Sequence, residues 1–139
     1  MNRSLILSLA AMTVVLVCHG RQLTPDEALS RAGVSLAARS QSLPELSYTA
    51  TDTLSRPMAY VFSRGADCGY MVVSADDVAV PVLAYADSGT FDASSMPDNM
   101  RWWLDEYARQ IAWAADNGFT SAAVGRAAAP RQPLAPLRR

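Results

Sequence analysis

Residues 58–74 read MAYVFSRGADCGYMVVS, which is two apolar runs joined by turn-forming residues. The runs at 58–62 and 69–74 are rich in the β-branched and aromatic residues that favour strands. Between them, residues 64–67 supply Gly and Asp, which accept the backbone angles that turns require. This stretch therefore predicts a β-hairpin, and the rest of the fold is organised around it.

Further strands are predicted on both sides of the hairpin. Residues 46–50 mix apolar and β-branched side chains. Residues 80–85 form another apolar run, and Pro81 places the start of that strand at an edge or outside the ladder. Phe91, in the loop that follows, is expected to fill the core. These strands would extend the hairpin into an antiparallel sheet.

The residues before the strands predict a helix. Thr24 is a good N-cap, and Pro25 suits the first helical position. Glu27 stands three residues after Thr24 and so completes a capping box. This helix is expected to end at Gly33 or to run on to Arg39.

A longer amphipathic helix is predicted from Pro97 to about Asn117. Trp102 and Trp113 are eleven residues apart, so at 100° per residue they fall within about 20° of each other. They lie opposite the core-facing stripe and form an exposed ridge, which either contacts a partner or is covered by the C-terminal tail. The core-facing stripe recurs at spacings of three and four and consists of Met100, Leu104, Tyr107, Ile111 and Ala114.

The order of these elements predicts the fold class. A helix, strands in hairpin sequence and a second helix are typical of an α+β domain. We expect an antiparallel β-sheet with an N-terminal and a long C-terminal helix packed on one face. Residues 21–118 would form this domain, and residues 119–139 would be a linker or tail rich in Pro and Arg.

Residues 1–20 are typical of a secretory signal peptide. Arg3 gives a positive start, an apolar run follows at 5–17, and small residues precede the cut that we expect after Gly20. The apolar run has 13 residues, short of the roughly 20 that span a bilayer, so no permanent membrane anchor is expected. A lipid-modified Cys18 is the alternative. After cleavage of the signal peptide the chain would be secreted or periplasmic.

Composition excludes several classes of function for the exported chain. Thirteen acidic residues face eleven Arg once residues 1–20 are removed, which leaves no basic stripe for nucleic acid. His19 leaves with the signal peptide, so neither a Ser-His-Asp nor a Cys-His site can form. Cys68 is then the sole cysteine, expected to be a small buried residue, with a reactive thiol as the alternative. No metal and no cofactor is expected.

Two pairs of adjacent acids are the remaining candidates for catalysis. Asp76-Asp77 and Asp105-Glu106 could in principle supply a carboxylate pair for hydrolysis. Adjacent acids on a turn or helix face are more often solvated surface. We therefore do not expect the chain to be an enzyme.

Several blocks of the sequence resemble a known family. Together they resemble the propeptide of streptopain-type cysteine peptidases, a domain that also occurs as a stand-alone streptopain inhibitor. The resemblance covers about residues 23–116, and the opening helix at 23–29 suits it. The blocks that carry it are 60–62, 69–77, 81–85, 88–92, 99, 103–107 and 110–111.

The resemblance implies a partner, a papain-like cysteine peptidase of the streptopain type, and a contact surface. In that family, the loop before the last helix is directed at the active site. There an Asn helps to keep the catalytic His from its working position. Asn99 occupies the matching place; the alternative is an ordinary polar residue at a helix start. Met96, Pro97 and Trp102 are then expected contacts, and Trp113 continues their ridge.

The resemblance also implies a function, an exported protease inhibitor of bacterial origin. It would act in cis, as the first part of a zymogen whose catalytic domain should follow the Pro-rich segment, or in trans as a free inhibitor. The rival hypothesis is a secreted protein-interaction or adhesion module that binds a protein or glycan through Trp102 and Trp113.

Overall fold

The computed structural model describes residues 20–33 and 44–120. These residues form a four-stranded antiparallel sheet in the order β1-β2-β3-β4, with one helix before it and one after it. The α+β class is confirmed. Residues 121–139 of the tail predicted at 119–139 lie outside the described residues, as does the stretch 34–39 of the longer first helix. The elements are α1 (Pro25–Ala32), β1 (Glu45–Thr51), β2 (Pro57–Ser63), β3 (Tyr70–Ser74), β4 (Val82–Ala86) and α2 (Asp98–Asp116).

The predicted hairpin is formed by β2 and β3. Tyr60 lies opposite Val73 and Phe62 opposite Met71. The turn closes where Gly69 has a φ of +82°, and a Cβ at this position would overlap the Ala86 carbonyl oxygen. Only glycine combines this backbone angle with so close an approach of the chain after β4.

The two faces of this hairpin are both covered. Tyr60 and Phe62 pack with Met71 and Val73 in the core cluster that contains Ala28 of α1. The alternate residues of the same strands pack against α2 instead, because successive side chains of a strand point to opposite faces. The helices therefore lie on opposite faces of the sheet, and the expectation that both share one face was wrong. The residues on the α2 side are Ala59, Val61 and Val72.

The face of α2 that packs on the sheet is narrow and made of small and aliphatic residues. Leu104 is fully buried and Ile111 is 4% exposed, as the predicted stripe requires. Ala108 and Ala115 are buried beside them, and their small side chains let the helix approach the sheet closely. The other members of the predicted stripe, Met100, Tyr107 and Ala114, are half-buried at its margins.

Helix α1 begins as predicted and has the shorter of the two expected lengths. The Glu27 amide donates to Thr24 Oγ1 at 3.3 Å, and Glu27 Oε2 accepts from the Thr24 amide at 2.9 Å. These reciprocal bonds are the capping box. The helix ends at Ala32, where the amide of Gly33 caps it.

An ion-pair network joins the β1–β2 turn to the end of α2. The Asp52 carboxylate accepts hydrogen bonds from the amides of Leu54 and Arg56 at 2.9 and 2.8 Å and from Arg56 Nε at 2.7 Å. The other two guanidinium nitrogens of Arg56 donate to Asp116 at 2.7 and 2.9 Å. This network fixes where the C-terminal end of α2 sits relative to the hairpin.

Leu104→Ala should destabilise the domain by about 2–5 kcal/mol, because it opens a cavity between α2 and the sheet. The free energy of unfolding from urea titration measures this. Leu54→Ala is the matched control: Leu54 is 72% exposed, so its loss should cost less than about 0.5 kcal/mol. Equal losses for the two variants would contradict the packing described here.

The Asp52 carboxyl should make stability pH-dependent. Partial burial opposes its ionisation, but hydrogen bonds from Arg56 and Leu54 outweigh this effect and lower its pKa. A lowered pKa stabilises the fold above the unfolded value of about 3.9, and this contribution is lost as the pH falls through the folded value. Asp52→Asn should therefore cost about 1–3 kcal/mol at pH 7 and progressively less below pH 4. Thermal melts between pH 2.5 and 7 measure the difference.

Asp116→Asn is the control for this effect. It neutralises the half-exposed partner of Arg56 and leaves the turn hydrogen bonds of Asp52 in place. We expect a smaller loss at pH 7, because exposed ion pairs contribute little. If Asp52→Asn destabilises the domain equally at pH 3 and at pH 7, the carboxylate does not stabilise the fold through its charge.

Candidate functional site

A groove of about 580 Å³ lies where the first turns of α2 pass over β3 and β4. None of the residues that line it is charged, and four are aromatic. Such a surface suits an apolar partner with a few polar groups to orient it. The lining residues are Tyr70, Val72, Ala84, Tyr85, Pro97, Asn99, Met100, Trp102 and Trp103.

Three of the residues predicted as contacts meet at this groove. Pro97, Asn99 and Trp102 all line it and are all exposed, with Trp102 at 66%. The side-chain amide of Asn99 has no hydrogen-bond partner among the residues that the structure describes. Its two donors and its acceptor are therefore available to another molecule.

Backbone donors add to the polar character of the groove's rim. Pro97 is the N-cap of α2 and provides no side-chain hydrogen bond to cap it. The first turn of a helix has no intrahelical acceptors for its amides, so those of Asp98, Asn99 and Met100 are open to a partner. Together with Asn99, they place several donors around one point at the head of α2.

The loop at 91–97, which leads into α2, is held in place by hydrogen bonds within the loop and by the burial of Phe91. The Asp92 carboxylate accepts from the Ser94 hydroxyl at 2.6 Å, the Ser95 hydroxyl at 2.8 Å and the Ser94 amide at 2.8 Å. These bonds lower the pKa of Asp92, so it remains ionised and keeps the loop closed. Phe91 fills the core as predicted, within 6.0 Å of the Tyr48 ring.

Met96 and Trp113, the other two predicted contacts, lie elsewhere. Met96 is 6% exposed and belongs to the core under α2, so its side chain anchors the loop and is not on the contact surface. Trp113 is 57% exposed but lies outside the groove, where its ring is 5.2 Å from that of Phe119. Eleven residues of helix put it about 16 Å from Trp102 along the axis. Phe119, the first residue of the predicted tail, lies against Trp113, which remains mostly exposed.

Asp76 and Glu106, one member of each acid pair, make hydrogen bonds within the domain that do not suit a catalytic role. Asp76 is 3% exposed, so the expectation that it lies on the solvated surface was wrong. Its burial raises its pKa. Its Oδ1 accepts a hydrogen bond from the Val78 amide at 2.9 Å. Hydrogen bonds to the Glu106 carboxylate lower its pKa to about 2, and the bond from Arg109 has a larger effect than the bond from Gln110. A general acid needs a pKa near the working pH, so Glu106 cannot serve as one.

Cys68 is exposed, and the prediction that it is buried was wrong. It follows the tight turn of the hairpin, where its backbone pairs with Gly89 rather than with the interior of the sheet. In residues 20–33 and 44–120, no group of three or more His, Cys, Asp or Glu is placed to hold a metal ion. Over the same residues, no helix is long and apolar enough to cross a bilayer.

Sequence reasoning missed the sheet side of the groove. Tyr85 lies on edge strand β4, is 69% exposed and pairs with Met71, whereas Tyr70 on β3 pairs with Ala86. A tyrosine in an apolar strand is usually core, so the run at 80–85 gave no sign of exposure. Pro81 was the one available signal, since it indicates an edge strand. Trp103, which also lines the groove, is half-buried with its ring edge-on to Tyr107 at 4.2 Å.

Comparison with known proteins places these features in a family. A family model described as Spi protease inhibitor matches residues 20–111, about two thirds of the chain, including the whole groove but not Trp113. A stretch of 52 residues is 48% identical to the thiol protease/hemagglutinin PrtT of Porphyromonas gingivalis; it is 37% of this chain and only 6% of that protein. No solved structure matches. The chain, with its aromatic groove at the head of α2, belongs to the Spi protease inhibitor family.

Proposed function

We propose that this chain is an exported inhibitory prodomain that blocks the active site of a papain-like cysteine peptidase of the streptopain type. The observation that carries the proposal is Asn99, an exposed amide with no partner among the described residues at the rim of an uncharged aromatic groove. Membership of a protease-inhibitor family supports the role. The relative named as a thiol protease supports a cysteine peptidase as the target.

Asn99 would act by occupying the hydrogen bonds that the peptidase's own His needs. Its amide both donates and accepts, so it can pair with the same neighbours as an imidazole. The open amides of the first turn of α2 would hold an acceptor group of the cleft beside it. Trp102 would supply the apolar contact that a stable interface requires.

The catalytic Cys and His would belong to the peptidase. We propose that the inhibitor is joined to it in cis, through the Pro- and Arg-rich segment 119–139, or acts in trans. Both connections use the same contact surface, because every residue of the groove lies between 70 and 103. We also propose that residues 1–20 are removed as a signal peptide, so that the protein works in the periplasm or outside the cell.

A secreted adhesion module remains the alternative. It needs Trp102 and Trp113 to contact one partner together. The separation of the two side chains along α2 and the contact of Trp113 with Phe119 count against a single continuous surface. Exposure of both rings is the observation in its favour.

Asn99→Asp should weaken inhibition of a purified streptopain-type peptidase by roughly tenfold or more, equal to about 1.4 kcal/mol of binding free energy. The substitution keeps the size of the side chain but removes both donors. It should not unfold the domain, because a negative charge at a helix N-terminus is favourable. The inhibition constant and the thermal melt of the same preparation are the measurements. A parent chain that is folded yet fails to inhibit at micromolar excess would overturn the proposal.

Trp102→Ala and Trp113→Ala should separate the two functions. Only Trp102 lines the groove, so only its loss should raise the inhibition constant, by tenfold or more if it is an interface anchor. Both side chains are mostly exposed, so both variants should keep the parent's stability to within about 0.5 kcal/mol. Unchanged inhibition in both, with binding to a non-peptidase partner lost in both, would favour the adhesion module.

A further inference from the structure

The residues just before α1 extend the sheet beyond the end of β3. The Leu23 amide donates to the Ala75 carbonyl oxygen at 2.7 Å, and the Asp77 amide donates to the Arg21 carbonyl oxygen at 3.0 Å. Gln22 and Asp76 form an antiparallel bridge between these two bonds. Residues 21–23 therefore lie along residues 75–77 as a short strand.

The first amide of this strand meets a carboxylate rather than a carbonyl. The Arg21 backbone nitrogen donates to Asp77 Oδ1 at 2.7 Å. This is the distance of a charge-assisted hydrogen bond, in which the Asp77 carboxylate carries the charge and the nitrogen, while residue 20 is attached, is a neutral donor. The position would suit a positively charged nitrogen better.

Gly20 fits its place only because it has no side chain. A Cβ on Gly20 would overlap Asp76 Oδ1 and lie 3.2 Å from Val78 Cβ. A small residue is also what signal peptidase requires immediately before the bond that it cuts. Two independent requirements, one of packing and one of processing, therefore meet at the Gly20–Arg21 bond.

We infer that hydrolysis of the Gly20–Arg21 bond creates an α-ammonium on Arg21 that forms an ion pair with the Asp77 carboxylate, so that processing completes the N-terminal strand. Water cleaves the C–N bond, the carboxylate leaves with Gly20, and the Arg21 nitrogen becomes an amine that is protonated at neutral pH. The inference rests on the export proposed above and not on peptidase inhibition.

The charges around Arg21 favour this arrangement. Arg31 donates to the carbonyl oxygens of Asp76 and Asp77 at 3.4 and 3.0 Å, and the Arg21 guanidinium pairs with Glu27 at 3.0 Å. Two carboxylates, of Asp76 and Asp77, thus lie near the Arg21 nitrogen, with Arg31 and the more distant Arg56 as the neighbouring cations. A new positive charge beside the Asp77 carboxylate would offset the repulsion between the two carboxylates.

The chain itself makes the ion pair testable. It contains no Lys, so in a chain that starts at Arg21 the α-amine is the one primary amine, and an acetylating reagent will modify it selectively. Any acetyl group on Cys68 is removed with hydroxylamine. Acetylation keeps an N–H that can donate to Asp77 and removes only the charge.

Acetylation should lower the melting temperature of the Arg21-initiated chain by about 2–5 °C, and by less than about 1 °C in Asp77→Asn. Asp87→Asn is the matched control, because the Asp87 carboxylate is exposed beyond the far end of the sheet. Acetylation should lower the melting temperature of this variant as much as that of the parent. An equal loss in the parent and in Asp77→Asn would overturn the ion pair.

The position of the cut is tested separately. The full-length chain is exported from a bacterial host, and the N-terminal sequence of the product is determined. Arg21 as the first residue supports the inference, and any other first residue overturns it. Neither experiment involves the inhibited peptidase. A negative result in either one therefore leaves the proposed inhibition intact, and a chain that fails to inhibit a peptidase leaves this inference intact.

Discussion

The fold depends on the burial of one strand on both of its faces. Residues 58–62 of β2 are all buried, and they are apolar in unbroken succession. Since alternate side chains of a strand point to opposite sides, a run of this kind needs a cover above and below the sheet. Helices α1 and α2 supply those covers, one on each face, and the neighbouring strands follow from the pairing of β2 with β1 and β3.

This arrangement separates the candidate inhibitory surface from the N-terminal strand. The groove lies on the α2 side, between the head of that helix and β3 and β4. Residues 21–23 instead lie along the chain after β3, beside α1. The sheet between them is rigidly packed, so changes at the N-terminus need not disturb the loop that Asp92 and Met96 hold in place. Processing and inhibition can therefore be independent properties of one small domain.

The groove is built from groups suited to binding another molecule. Its lining is uncharged, and its polar groups are the amide of Asn99 and the open backbone donors of α2. Such groups bind and orient without ionising, so they remain the same across the pH range in which a peptidase works. The carboxylates of the domain are used elsewhere: Asp52 and Asp92 close turns, and Asp76 caps the backbone after β3.

The sequence by itself determined the elements that local signals specify. The capping box of Thr24, the hairpin, the buried face of α2 and the position of Asn99 at the head of that helix follow from patterns only a few residues long. Tertiary structure alone decided which face each helix covers, the exposure of Tyr85 and Cys68, the burial of Met96 and Asp76, and the position of Trp113 outside the groove. A helical period gives the angle of a side chain about its own axis, but exposure depends on which distant residues pack against it.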